Sequence, residues 1–318
     1  LSADNSIWDS IYVANFEVSY IFIANLVASG VTLLILLPFY FKINYKIDTL
    51  LWKKMLRYAL PVLVAGVAFS INETFDRVLL ERLLPDAIAK TSVGMYSACY
   101  KLALFMMLFA TAYRLGIEPF FFSQSKTKDA TKNYAKILEF FVICGALILL
   151  IVVVFVDVLK LILIPNEAYW EAMKVVPILL LAYFFLGIYH NLSVWYKITD
   201  RTKFGAYISV IGAGITLLVN LMFITSFNYM ASAMATLVAY FSMTLLSYYF
   251  GRKHYPIPYN IKKISIYLIL AISLSALSFY QFRAQYLIGS TLIGILLLII
   301  WQNEKATIKQ FLKPSHDH

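Results

Sequence analysis

Apolar runs of about twenty residues, each closed by a short polar stretch, recur along nearly the whole chain, at about 17–41, 58–84, 93–122, 137–157, 169–196, 204–225, 229–250, 264–282 and 286–301. A helix rising 1.5 Å per residue needs ~20 apolar residues to cross a hydrocarbon core of ~30 Å, so each run is long enough to span a membrane. Strands of a transmembrane barrel would instead show ~10 residues of alternating polarity, and that pattern is absent. The chain therefore reads as an all-α polytopic membrane protein, a helical bundle with nine spans in 318 residues. Composition agrees: 61% of residues are hydrophobic and 14% charged, against about 25% charged in an ordinary soluble domain.

The polar connectors predict an orientation. Lys42, Lys46, Lys53, Lys54 and Arg57 lie in one loop, and Lys126, Lys128, Lys132 and Lys136 in a second. Lys197, Arg201, Lys203, Arg252, Lys253, Lys262, Lys263, Lys305, Lys309 and Lys313 fall on the same side, while Lys90, Lys160 and Arg283 fall on the other. The positive-inside rule assigns the basic side, and with it the C-terminus, to the cytoplasm. The net charge of +10 is accounted for by topology rather than by nucleic-acid binding, because the charges are dispersed over short connectors. If the natural protein begins in the cytoplasm, an odd number of spans precedes this sequence. In the loop 42–57, Ile47, Leu50, Leu51 and Met55 recur at helical spacing, which predicts an amphipathic helix on the inner surface and a boundary between lobes.

Two predicted helices break the apolar rule. ALPVLVAGVAFSINETFDRVLLERLL and GMYSACYKLALFMMLFATAYRLGIEPFFF, joined by a predicted polar turn from Pro85 to Ser92, carry Glu73, Asp76, Arg77, Lys101 and Arg114 inside their apolar runs. Each charge at mid-membrane costs roughly 2.5–3.5 kcal/mol on insertion scales, so something must compensate for all five. Gly66, Ser70, Glu73, Arg77 and Glu81 follow i, i+3, i+4 steps and form one polar stripe, flanked by Asn72 and Asp76. Arg77 and Lys101 fall at similar depth on antiparallel helices, with Arg114 ~20 Å further toward the basic side. Arg114 and Glu118 stand at i, i+4, and Pro119 weakens the helix after them. Two readings stay open: Glu73–Arg77, Arg77–Glu81 and Arg114–Glu118 are pairs that lock the bundle, or the charges line a cavity that binds an anion and a coupling cation. Lys101 has no acidic neighbour in sequence and is the leading candidate for a ligand.

His190, Asn191 and Asn220 can face the same cavity or make single interhelical hydrogen bonds. Tyr96, Tyr100 and Tyr113 can stack on sugar rings or simply pack. Cys99 and Cys144 lack ligand spacing, as do His190, His254, His316 and His318, so neither a metal nor a cofactor is expected. The chain lacks GxSxG, Walker and HExxH patterns, and the external loops are too short to display reactive groups, so an enzyme is not expected.

Family-specific strings sharpen this picture. FDRVLLERLLP, VGMYSACYKLALFMMLF, YRLGIEPFFFSQ, LGIYHNLSVWYKITDRTKFGAYISVIGAGITLLVN and GRKHYPIPYNIKK resemble the polysaccharide flippase (Wzx-like) branch of the MOP exporter superfamily, particularly Bacteroidetes-type lipopolysaccharide or capsule export proteins. The resemblance implies two lobes related by an axis along the membrane normal, rocking around a central cavity. On that pattern, 1–41 holds the last helix of the first lobe and 42–57 is the linker. The second six-helix lobe is 58–250, 251–263 is a cytoplasmic link, 264–301 an extra helix pair and 302–318 a tail, with the front of the first lobe missing.

The resemblance further implies a flippase of the bacterial cytoplasmic membrane that moves a polyprenyl-diphosphate-linked oligosaccharide by alternating access, driven by a proton or sodium gradient. Its partners would be that lipid-linked glycan, membrane lipids and the coupling ion, not nucleic acid. Arg77, Lys101 and Arg114 would bind the anionic head group, and Glu73, Asp76 and Glu118 would balance charge or bind the cation. A multidrug cation antiporter of the same superfamily is the nearest alternative. A glycan polymerase or ligase, or a structural membrane subunit, is a more distant one.

Overall fold

The computed structural model describes residues 17–42, 46, 48–125 and 127–312. Among these residues every regular element is helical, and nine helices are long and apolar enough to cross a membrane. The protein is an all-α polytopic membrane protein. It divides into two compact units, Leu1–Met55 and Leu56–His318.

The first unit contains α1 (Glu17–Tyr40), apolar at a mean hydropathy of 2.3 over its span. After it, Asp48 starts α2 (Thr49–Leu83) by accepting the backbone N–H groups of Leu50 and Leu51 at 2.9 and 3.1 Å. Residues 49–57, within the stretch 42–57 expected to form a surface helix, are the first turns of α2. Pro61 lies inside α2 without ending it, as is common in membrane helices, where neighbouring groups satisfy the freed carbonyl. Ile47, Lys126 and Lys313, used in the sequence reading, lie outside the described residues.

In the second unit, the turn expected at Pro85 to Ser92 is far shorter than the sequence indicates. α3 (Asp86–Gln124) begins directly after Pro85, whose φ of −56° suits a helix start, with Asp86 in the first turn. α3 also continues through Pro119 to Gln124, so that proline does not end it. α4 (Ala130–Val154) leads into a short helix α5 (Val156–Leu163). The fifth predicted span is broken: a 3-10 helix, Glu167–Val175, precedes α6 (Val176–Leu192) and the single turn α7 (Val194–Ile198). Then follow α8 (Lys203–Phe227), α9 (Tyr229–His254), α10 (Ile261–Tyr280) and α11 (Tyr286–Leu312). The tail expected from 302 is helical as far as Leu312.

The core lies where α3, α4, α6 and α9 meet, with α8 packed on α9 and α10 on α4. Glycines make the closest approaches possible. A Cβ on Gly145 of α4 would fall 2.3 Å from the ring of Phe184, and one on Gly187 of α6 would fall 2.1 Å from the ring of Phe141. Each helix thus offers a notch to the other's phenylalanine, the small-residue packing that membrane helices use in place of hydrophobic expulsion.

Ionic clamps hold α10 and α11 to this core. Lys263 Nζ bridges Glu139 and Glu304, both at 2.8 Å, and Tyr267 donates to Glu304 at 3.1 Å. Beyond the far end of α4, Asp157 receives Arg283 through two 3.0 Å bonds and Lys160 at 2.5 Å.

Candidate functional site

Four polar side chains stand on one side of α2. Asn72 and Asp76 are each 1% exposed, and Glu73 and Arg77 follow at the same i, i+4 spacing. The side-chain hydrogen bonds that reach them from other helices all come from hydroxyl groups. Tyr100 of α3 and Tyr183 of α6 donate to Glu73 Oε2 at 2.6 and 2.7 Å, and Tyr240 of α9 donates to Glu73 Oε1. Tyr96, one turn before Tyr100, donates to Asp76 Oδ2 at 2.6 Å. Thr216 of α8 donates to Asn72 Oδ1 at 2.6 Å. Four helices, α3, α6, α8 and α9, therefore converge on α2's polar face through side-chain hydrogen bonds.

The positive charge inside this belt is held differently from the pairs open in the sequence reading. Arg77 Nη1 donates to the backbone carbonyl of Glu73 at 2.7 Å, not to its carboxylate. Its guanidinium lies 4.3 Å over the ring of Tyr100 and 3.9 Å from Asp76 Oδ1. Asp76 Oδ1 also accepts the Arg77 backbone N–H at 2.8 Å. The belt thus contains two carboxylates and one guanidinium, and is short of one positive charge when both acids are ionised. A proton on one of the two acids, or a monovalent cation beside them, would balance that charge.

Arg114 and Glu118, one turn apart near the Gln124 end of α3, form a second polar place. The i, i+4 pair between them is not made. Glu118 Oε1 instead receives Lys197 Nζ of α7 at 2.7 Å, and Arg114 Nε is buried with no hydrogen-bond partner among the described residues. Together with Phe121, His190, Asn191 and Lys197 the two residues line a narrow crevice of about 10 Å³, room for about one water molecule. Asn191 donates to the Gly187 carbonyl of its own helix at 3.0 Å, and its Oδ1 is buried without a donor among the described residues.

The predicted charges accordingly separate into two places ~20 Å apart along α3, by helical rise from Tyr100 to Arg114. Lys101 joins neither; it is exposed on α3. Asn220 accepts from Ser232 of α9 at 2.8 Å, an interhelical hydrogen bond rather than a cavity contact. Tyr113 donates to the Ile137 carbonyl at 2.8 Å and packs edge-on against Phe141. The sequence reading missed Tyr183, Tyr240, Thr216 and Lys197. A signal existed for the two tyrosines: membrane tyrosines gather at interfaces, whereas these sit in mid-run, in LLLAYFFLG and VAYFSM.

With this geometry described, comparison with known proteins adds one match. Residues 7–123 match the family model of a polysaccharide biosynthesis protein. The matched stretch covers α1, α2 and nearly all of α3, and contains all six predicted site residues: Glu73, Asp76, Arg77, Lys101, Arg114 and Glu118. No curated protein and no solved structure matches the chain.

Proposed function

We propose that the protein is a flippase that carries a polyprenyl-diphosphate-linked oligosaccharide across the bacterial cytoplasmic membrane by alternating access, coupled to a proton or sodium gradient. The observation that carries this reading is the tyrosine-lined belt of Glu73, Asp76 and Arg77, placed inside the stretch that matches a polysaccharide biosynthesis family. Ionisable groups inside a membrane bundle are expensive and ordinarily serve transport or ion binding. In this scheme Glu73 and Asp76 take the coupling cation, with Arg77 fixing their geometry. Arg114 meets the anionic head group, Lys101 assists from the exposed side of α3, and Glu118 balances charge. The excess of Lys and Arg in the connectors on one side supports a cytoplasmic position for that end and for the C-terminus.

The acid surplus of the belt is the one feature that favours the second reading, export of an organic cation. One experiment separates the two. The natural full-length protein is expressed in a flippase-deficient host, and surface glycan and efflux of a cationic dye are both measured. Restored glycan, lost in Glu73→Gln and Arg114→Ala at matched membrane levels, is the expected outcome. Dye efflux without glycan would replace the flippase by the antiporter.

A further inference from the structure

α2 and α8 are pinned to each other at two places and open between them. Thr202 Oγ1, just before α8, donates to the Tyr58 carbonyl at 3.4 Å, and Thr216 donates to Asn72 at 2.6 Å. The same fourteen residues separate the two bonds on both segments, about 21 Å by helical rise. Between them, Leu60, Pro61 and Val64 of α2 and Ala206, Val210 and Ile211 of α8 line an open groove of about 650 Å³, with Lys203 at the end nearer Thr202. Apart from Lys203 and the Tyr207 hydroxyl, the lining is apolar.

The Lys203 end is cationic. Arg57, Arg201 and Lys203 are exposed on either side of the Thr202–Tyr58 bond. The carboxylates near Tyr58 are Asp200 and Glu118, and Glu118 is held by Lys197 at 2.7 Å. Three cations therefore stand beside one free carboxylate, Asp200. The start of α8 has no side-chain cap, and the positive end of its dipole adds to the attraction for an anion. Tyr58 and Tyr207 are exposed at the same level, where aromatic side chains mark the boundary between hydrocarbon and head groups.

A basic end on an apolar cleft between membrane helices is the arrangement that recognises an anionic lipid head group. We propose that this groove binds an anionic phospholipid of the surrounding leaflet, its phosphate at Arg57, Arg201 and Lys203 and one acyl chain along Leu60, Val64 and Val210. From Lys203 to Ile211 the groove runs about 12 Å along α8, enough for the upper part of that chain, whose methylenes leave water or looser lipid for a fitted wall. A sugar would find neither carboxylate nor amide among the described residues of this lining, whereas a phospholipid asks only for cations at one end and apolar surface below. Bound there, the lipid bridges α2 and α8 between their two hydrogen bonds. The site is separate from the belt of Glu73, Asp76 and Arg77 and does not rest on the flippase reading.

The test uses the natural full-length protein in detergent, offered equal amounts of dioleoylphosphatidylglycerol, dioleoylphosphatidylcholine and undecaprenyl phosphate, with retained lipid read by native mass spectrometry. The phosphatidylglycerol is expected to be retained about fivefold or more over the phosphatidylcholine, which has the same chains and no net charge. Arg57→Gln and Lys203→Gln should each lower that preference by about fivefold, and Lys128→Gln, in another connector, should change it by less than about twofold. Asp200→Asn should raise the preference, a gain that misfolding cannot produce. Ala206→Phe, which fills the groove, should lower retention of both phospholipids. Equal retention of the two phospholipids by wild type, or variants at Arg57 and Lys203 that behave like wild type or like Lys128→Gln, overturns the site. Full retention of phosphatidylglycerol by Ala206→Phe overturns the placement of the chain in the groove. Undecaprenyl phosphate displacing phosphatidylglycerol from wild type assigns the groove to a carrier lipid and overturns the phospholipid as its occupant.

Discussion

Tyr183 Oη lies 2.7 Å from Glu73 Oε2, joining α6 to α2 across 110 positions of sequence. Tyr100 reaches the same oxygen from α3 and Tyr240 reaches the other from α9, so one carboxylate is a junction of four helices. Removing one hydroxyl leaves the carboxylate with two donors, and interhelical bonds of this kind in membranes average about 0.6 kcal/mol. Tyr183→Phe is therefore expected to lower stability by about 0.5–1.5 kcal/mol. Glu73→Ala, which orphans three hydroxyls, should cost more than any single tyrosine change. Thermal unfolding in detergent measures both, and equal losses for Tyr183→Phe and Glu73→Ala would contradict the junction.

Arg77 and Lys101 should behave oppositely when each is changed to alanine. Arg77 is held by the Glu73 carbonyl, the Tyr100 ring and Asp76, so its loss leaves the 1%-exposed Asp76 without its guanidinium. A destabilisation of about 1–3 kcal/mol is expected. Lys101 is exposed, and Lys101→Ala should stay within about 0.5 kcal/mol of wild type. Unfolding midpoints of the two variants in one detergent decide the matter.

The reciprocal notches of α4 and α6 predict a rescue. Gly187→Ala places a methyl 2.1 Å from a ring atom of Phe141, an overlap no rotamer of alanine can relieve. Overpacking of this kind costs typically about 1–3 kcal/mol. Adding Phe141→Leu to Gly187→Ala shrinks the ring that collides, and the double variant should be more stable than Gly187→Ala alone. Purely additive losses in a double-mutant cycle would show that the two positions are not coupled.

Asp157 gives a pH dependence. Burial alone would raise its carboxyl pKa, but the hydrogen bonds from Arg283 and Lys160 outweigh burial and hold it below the ordinary carboxylate range. A group lowered on folding contributes stability above its unfolded pKa, about 4, and that stability is lost as pH falls through the folded value. The clamp between α5 and the α10–α11 connection should thus be intact at neutral pH and released only below about pH 4. Hydrogen exchange in residues 281–285 should rise there in wild type. In Asp157→Asn it should already be raised at pH 7.

Sequence alone determined the class of this protein, because spanning length and apolarity are properties of a local run and need no partner. The sites of unusual cost were legible for the same reason: Glu73, Asp76, Arg77, Lys101 and Arg114 interrupt apolar runs wherever the helices pack. Helix ends were less legible, since Asp48 and Pro85 extend α2 and α3 past the edges of the apolar pattern. Only the tertiary structure decided which charge meets which partner. Glu118 stands four residues from Arg114, yet its carboxylate goes to Lys197, 79 positions away. Glu73 is satisfied by tyrosines 27, 110 and 167 positions away. Hydrogen bonds form between groups that packing brings within 3 Å or so, and in a helical bundle that neighbourhood is set by which helix faces meet. No local pattern in the chain encodes it.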